Sequence, residues 1–501
     1  MGCSCKMKTK SKIQIMNYLN IQIRVLFLRA RMVMLFFRNM ISSEKKFSFT
    51  ALFVVLVVLN FMSCKEEESK AEKDNKPPNF LVIIADDAGW NDFSYHGSSI
   101  QTPVIDSLAE NGLKLERFYA APTCSPSRAS LLTGKPASRM GIVAPISGRS
   151  ELRLPDTITT LTQALKEKNY KTLLFGKWHL GLKPESGPQA YGFDYFYGFL
   201  HGQIDQYTHR YKNGDSSWYR NKKFIEEEGH ATDLITNEAI KWLEEENNKT
   251  PFYMQVAYSA PHFPLQEEEK WKQPYNGIFD DPTRRDYAAA MAHMDHSIGQ
   301  LLETLRKKGL EENTVIVFIS DNGAMENWYP QDQYDGKFEP HTELGSNLPL
   351  REWKNSNYEG AIRVPAIVSW KGKLSSGTIE EYISISDLMP TFLELAGVEK
   401  VPESVEGQNA WPVLSGESQS WKNKIYIRGH LQESLIQKPW KLIRTRYLED
   451  PTVYELYNIE EDPEEKHNIV GENPEIFNNL NNNLEAEFAK DAPEVNLDLI
   501  Q

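Results

Sequence analysis

Four short apolar runs along this chain each stop at a cluster of polar residues. Asn79-Phe80-Leu81-Val82-Ile83-Ile84-Ala85 ends in Asp86-Asp87, and Lys171-Thr172-Leu173-Leu174-Phe175 ends in Gly176-Lys177-Trp178-His179. Pro251-Phe252-Tyr253-Met254-Gln255-Val256-Ala257 runs into Ser259-Ala260-Pro261-His262, and Thr314-Val315-Ile316-Val317-Phe318-Ile319 into Ser320-Asp321-Asn322-Gly323. Unbroken β-rich runs of this length predict strands buried on both faces. Stretches of helical period separate them, at about 157–168, 232–246 and 285–308. Another helix opens at Thr102-Pro103, a capping residue followed by Pro in the first turn. Buried strands alternating with helices predict a large, mostly parallel α/β sheet flanked by helices. Ligands of such sheets bind outside the carboxyl ends of the strands, so the four polar clusters should converge on one rim.

The N-terminal pattern is different. Residues 47–63 are apolar and follow Lys45-Lys46, the layout of a secretory signal and too short for a membrane span. The segment ends Asn60-Phe61-Met62-Ser63-Cys64, which resembles a bacterial lipoprotein cleavage site with Phe61 in place of the usual Leu. Residues 40–64 then read as a signal peptide starting at Met40, with an ordinary signal cleaved nearby as the reading that competes with lipidation of Cys64, and residues 1–39 as an over-long gene model. Met1-Gly2 is not a myristoylation site, because Lys6 stands where that motif needs Ser or Thr. Residues 65–78 form a charged tether ending in Pro77-Pro78. An acidic run after a lipid-bearing cysteine resembles the surface-export signal of Bacteroidetes lipoproteins. The expected location is therefore the outer membrane of a Gram-negative bacterium, facing the outside or the periplasm, with membrane contact only through the lipid.

Without residues 1–64 the chain carries 46 Lys and Arg against 68 Asp and Glu, a net charge near −22. So acidic a body excludes nucleic acid as a partner. It leaves room for an anionic substrate if cations gather locally. The 40% hydrophobic content and length suit one large domain, 79–415, followed by a small one, 416–501.

Cysteine usage narrows the chemistry. Cys3, Cys5 and Cys64 lie at or before the end of the N-terminal apolar segment, so Cys124 has no disulfide partner in the folding part, and a cysteine zinc cluster is excluded. Its setting, Cys124-Ser125-Pro126-Ser127-Arg128 running into Leu132-Thr133-Gly134, is too specific for an idle thiol. Asp86, Asp87, Asp321 and Asn322, brought together at strand ends, make an all-oxygen set suited to a hard cation such as Ca²⁺ or Mg²⁺.

With these motifs the chain resembles the formylglycine-dependent sulfatases of the alkaline phosphatase superfamily over about residues 78–470. The resemblance implies that Cys124 is oxidised to formylglycine by a maturase, and that one Ca²⁺ is held by Asp86, Asp87, Asp321, Asn322 and the modified Cys124. It implies that Arg128 anchors the formylglycine, that Lys177 and His179 of Gly-Lys-Trp-His flank it, and that His262 of Ala-Pro-His-Phe-Pro faces the leaving group. Lys354, upstream of Tyr358-Glu359-Gly360-Ala361, matches the sulfate-binding lysine, although Ala361 stands where the family often has Gly. Tyr191-Gly192-Phe193-Asp194-Tyr195-Phe196-Tyr197-Gly198-Phe199 and Tyr207-Thr208-His209 are similar to the N-acetylgalactosamine-4-sulfatase type. Tyr454-Glu455-Leu456-Tyr457-Asn458-Ile459 with Asp462-Pro463 resembles the family's small C-terminal antiparallel sheet with a helix.

The implied reaction is hydrolysis of sulfate monoesters on a sulfated polysaccharide or its oligosaccharides, algal or glycosaminoglycan. The hydrated aldehyde attacks sulfur and later ejects sulfate, His179 accepts a proton, and His262 protonates the sugar oxygen. His201 and His209 are candidates for a substrate-pocket wall, whereas His293 and His296, on a helix, read as packing residues. Two rival readings stand beside this one. The first is a phosphatase or phosphodiesterase of the same superfamily, with two zinc ions; the second is a non-catalytic surface glycan-binding lipoprotein.

Overall fold

A computed structural model describes residues 76–148, 150–246, 250–418, 421, 424–447 and 450–494. The gene-model, signal, lipid-anchor and most of the tether readings fall outside the described residues. From Pro77 onward the chain forms one compact unit.

A ten-stranded sheet spans it, built from β1 (Asn79–Ala85), β2 (Leu113–Leu115), β4 (Lys171–Lys177), β5 (Tyr195–Phe199), β6 (Trp218–Arg220), β7 (Lys223–Phe224), β8 (Phe252–Ala257), β9 (Thr314–Ser320), β10 (Ala366–Ser369) and β11 (Gly377–Ile379). The order is β11-β2-β10-β9-β1-β8-β4-β5-β6-β7. Its five central strands, β9 to β5, are parallel, and antiparallel pairings occur only toward the two edges. The four apolar runs are four adjacent strands of this centre. A further short pair joins β3 (Phe118–Tyr119) to β12 (Ile383–Ser384).

Both faces of β1 are buried because both are covered. Phe80, Val82 and Ile84 pack toward helices Cys124–Thr133, Leu161–Lys166 and Leu388–Leu395. Leu81, Ile83 and Ala85 pack toward helices Pro103–Asn111, Ala231–Glu245 and Pro282–Lys307. This explains the continuous, non-alternating strand pattern. Caps set the helix starts. Thr160 accepts from the Gln163 backbone and shortens the 157–168 helix, and Asp281 accepts from the Thr283 amide at 2.7 Å and starts the long helix at Pro282.

The second sheet is antiparallel, β13 (Lys424–Arg428), β14 (Gln432–Gln437), β15 (Trp440–Thr445) and β16 (Val453–Asn458) in sequence order. Its period-2 alternation divides two cores. Ile425, Ile427, Ile436, Ile443 and Tyr457 meet Tyr119, Ile362 and Tyr382 of the main body. Tyr426, Leu435, Leu442 and Leu456 meet Leu480 and Leu484 of helix Pro474–Phe488. At the seam Lys441, fully buried, lies 2.9 Å from Glu359 and 2.8 Å from Glu465. Arg351 bonds the Tyr457 hydroxyl and the Glu465 carbonyl, both at 3.0 Å. The small sheet thus fastens the 351–359 segment, which carries Lys354. Among the described residues, no helix is long and apolar enough to cross a membrane.

Candidate active site

The ends of β1, β8 and β9 stay hydrogen-bonded past the last apolar residue: the Asp86 amide reaches the Ala260 carbonyl and the Asp321 amide the Ala85 carbonyl, each at 3.1 Å. This brings Asp86, Asp87, His262, Asp321 and Asn322 to one rim. Strand β4 joins them through Gly176, whose φ of +100° and contact with β8 no side chain would tolerate, since a Cβ there would lie 1.9 Å from the Ala257 carbonyl oxygen. Lys177 and His179 follow at once. Cys124 is the first residue of helix Cys124–Thr133, all ten residues of which are buried.

Cations and carboxylates interlock here. Lys177 Nζ lies 2.8 and 2.6 Å from the two oxygens of Asp86, and Lys354 Nζ 2.6 and 2.8 Å from those of Asp87. Arg128 donates twice to Asp321 Oδ2, at 3.0 and 2.7 Å, and once to the Lys177 carbonyl at 3.0 Å. His179 Nδ1 is 3.1 Å from Cys124 Sγ while its Nε2 is 2.7 Å from the Ile146 carbonyl. His262 Nδ1 is 2.7 Å from the Phe263 carbonyl and its Nε2 is 3.5 Å from Asp87. All ten sequence-derived site residues thus lie in one cluster.

Burial sets the proton affinities, and neighbouring charges adjust them. Burial raises Asp86 to about 7, against the pull of Lys177. Burial also acts upward on Asp87, but Lys354, His262 and Lys177 outweigh it and hold this carboxyl below the usual range. Burial raises the Cys124 thiol. It pushes His179 well down, with Lys177 and Arg128 adding to the effect, and His262 down to about 3, with Asp87 opposing.

Asp86, Cys124 and Asp321 offer ligand atoms within 4.8 Å of one another, as do Asp86, Asp87 and His262. Asn322 donates through Nδ2 to Asp87 at 2.7 Å, yet its Oδ1 is buried without a hydrogen-bond partner. A buried amide oxygen beside three carboxylates fits a hard cation.

A cavity of about 190 Å³ opens on this cluster, lined by Cys124, His179, His262 and Lys354 and also by Gly202, Gln203, Tyr211 and Lys212. The last four come from the connection between β5 and β6, on either side of Tyr207-Thr208-His209. His201 and His209 do not line it. His201 bonds Ser217 at 2.8 Å and stacks on Tyr211, and His209 stacks on Trp218, so they support the wall from behind. His293 is more than a packing residue, because it bridges Glu267 at 2.7 Å and Asp233 at 3.1 Å. Ser125, which the motif reading left without a role, bonds the His179 carbonyl at 2.9 Å and the Ile146 amide at 3.0 Å, tying together the two ends that hold His179.

A mostly parallel sheet with an acidic and cationic cluster at its carboxyl rim is an arrangement suited to hydrolysis of an anionic ester. The sulfatase family model matches residues 78–398, and the model for the C-terminal part of N-sulphoglucosamine sulphohydrolase matches 353–491. Mouse arylsulfatase J is 34% identical over 378 residues, covering 70% of this chain and 60% of its own length. Mouse N-acetylgalactosamine-6-sulfatase is 30% identical, covering 71% of this chain and 69% of its own. Among solved structures, Ps i-CgsB in complex with k-i-k-neocarrahexaose superimposes with a TM-score of 0.75 at 30% identity, over 84% of this chain and 94% of that one. The chain belongs to the sulfatase family, whose members are sulfuric ester hydrolases.

Proposed function

We propose that this protein hydrolyses sulfate monoesters on a sulfated polysaccharide or its oligosaccharides, with Cys124 matured to formylglycine and one Ca²⁺ at Asp86, Asp87, Asp321 and Asn322. The observation that carries the reading is the Cys124 pentapeptide, set against His179 and beside a buried oxygen set that includes the unpartnered Asn322 Oδ1. The glycan is suggested by the carrageenan oligosaccharide bound to the structural neighbour. When present, the hydrated aldehyde supplies a nucleophilic hydroxyl and a second hydroxyl for expelling sulfate, and the cation supplies positive charge against the sulfate oxygens.

The chain's own side chains supply the rest. His179 Nε2 faces a carbonyl and must carry hydrogen, so Nδ1 presents a lone pair to residue 124. A pKa lowered by burial keeps that lone pair free to take a proton. His262 is oriented the same way by the Phe263 carbonyl, leaving Nε2 toward Asp87 and the cavity. A sulfate ester beside it adds negative charge, which favours the imidazolium needed to protonate the departing sugar oxygen. Lys177, Lys354 and Arg128 balance the three carboxylates charge for charge, so a divalent cation would leave the site net positive toward an anionic ester.

The test combines mass and turnover. Active protein should show a loss of about 18 Da at Cys124, the change from thiol to aldehyde. It should release sulfate from at least one member of a panel of carrageenan, ulvan, fucan and glycosaminoglycan. EDTA should abolish that release and Ca²⁺ restore it. Unmodified Cys124 throughout a fully active sample, or two zinc ions per chain, would overturn the assignment.

A further inference from the structure

The catalytic cavity does not end blindly. Pro145, Ser147, Lys212 and Asn355 line it and also line a groove of about 730 Å³ that runs toward the small C-terminal sheet. The far wall of the groove contains His430 and Leu431, from the turn between β13 and β14, and Tyr447, which follows β15. Leu431 is 40% exposed and Tyr447 49%, among the few large apolar side chains left open. An apolar wall with a polar floor suits the CH faces and hydroxyls of a sugar.

Lys212 stands where cavity and groove meet, and its charge is uncommitted. The other two lysines of the catalytic cluster are held by carboxylates, Lys177 by Asp86 and Lys354 by Asp87. Among the described residues, Lys212 makes no such ion pair. Its ammonium stands 5.7 Å from the centroid of the Tyr211 ring. Its backbone is fixed, since its carbonyl accepts from the Tyr334 amide at 2.6 Å and the Tyr211–Asp215 turn is closed by two bonds of 2.8 and 2.9 Å. Half-burial lowers the Lys212 pKa, with no acid acting against it. An unpaired cation in a low-dielectric cleft of so acidic a protein costs energy that an anionic ligand would recover.

We infer that Lys212 recognises a second anionic group, a sulfate or carboxylate on the sugar next to the one being desulfated, and that the groove holds that sugar. This inference rests on the sulfated-glycan reading and narrows it to substrates charged on adjacent residues, with the chain running out over the C-terminal sheet. The role is binding and specificity, separate from bond cleavage.

The probe is a pair of carrageenan oligosaccharides that differ only in whether the sugar beside the scissile ester carries a second sulfate. Binding is measured by calorimetry on Cys124→Ala protein, and turnover on active protein. Lys212→Gln should weaken binding of the doubly sulfated oligosaccharide about tenfold relative to the singly sulfated one, the size of one charge-assisted hydrogen bond. The loss should appear in KM rather than kcat, and Lys212→Arg should recover most of it. Equal loss on both oligosaccharides, or none on either, would overturn the inference. If wild-type protein binds the pair with the expected preference but releases no sulfate, the groove assignment stands and the sulfatase reading falls.

Discussion

Replacing Arg128 with alanine probes the point where charge balance and catalysis share a residue. The guanidinium makes two bonds to Asp321 and one to the Lys177 carbonyl, and the residue is 3% exposed. Alanine leaves Asp321 a buried carboxylate without its nearest cation and the Lys177 carbonyl without a donor. Breaking a buried ion pair from one side costs roughly 3–5 kcal/mol. An unsatisfied buried carbonyl costs about 1–3 kcal/mol more, and because the two overlap the expected loss is about 4–6 kcal/mol. For a unit spanning Pro77–Gln501 the unfolding entropy makes this about 1 °C of Tm per kcal/mol, so a drop of about 4–6 °C in EDTA. A divalent cation held by Asp321 would restore a positive partner. At a hundredfold excess over its Kd it stabilises either protein by about 2.7 kcal/mol. It should stabilise the variant further, because a competing positive charge has gone. The assay is thermal unfolding of both proteins in EDTA and in Ca²⁺, with Ca²⁺ raising the variant more. A drop under about 1 °C in EDTA would refute the energetic reading of the pair. Equal Ca²⁺ increments would refute the sharing of Asp321 between Arg128 and a cation.

Three further outcomes follow from the geometry. His262→Ala should slow sulfated glycan by about 10²-fold or more and nitrophenyl sulfate far less, because a phenolate leaves without protonation; equal losses would make His262 a binding or structural residue. Gly202→Ala would place a Cβ 2.4 Å from Cε1 and 2.6 Å from Nε2 of His179, a ring already fixed at both nitrogens. It should reduce kcat about tenfold or more with the fold intact, and unchanged kcat would show that the ring can yield. His293 is pushed down by burial but carried up to about 9 by Asp233 and Glu267. With its folded pKa raised above the unfolded value, its contribution is complete below about pH 6.5 and lost as pH rises through 9. Wild-type stability should therefore fall by about 2–3 kcal/mol relative to His293→Gln over that window, and parallel pH profiles would contradict the ion-pair assignment.

The parts of the site that were legible in the sequence are those attached to strand ends. A buried parallel strand must be continuously apolar, so its end is marked by the first polar residue, and in this topology that residue points at the ligand. Asp86 and Lys177 follow from that rule before any motif is invoked, whereas Asp321 stands one residue past Ser320 and His262 three past Ser259. The C-terminal sheet was legible only through its resemblance to the family's C-terminal part; the alternation of its residues between a face on the main body and a face on helix Pro474–Phe488 emerges from the structure. Loops carry no such mark. The acceptor that orients His179 is the backbone carbonyl of Ile146, a group every residue type provides, so no sequence pattern could single it out. Histidine identity misled where the carbonyl was silent: His201 and His209 carry the right chemistry in the right loop, yet aromatic stacking turns both away from the cavity. Lys212, three residues beyond His209, reads as an ordinary surface charge. Only the fold shows that no carboxylate among the described residues pairs with it and that it lines both the cavity and the groove.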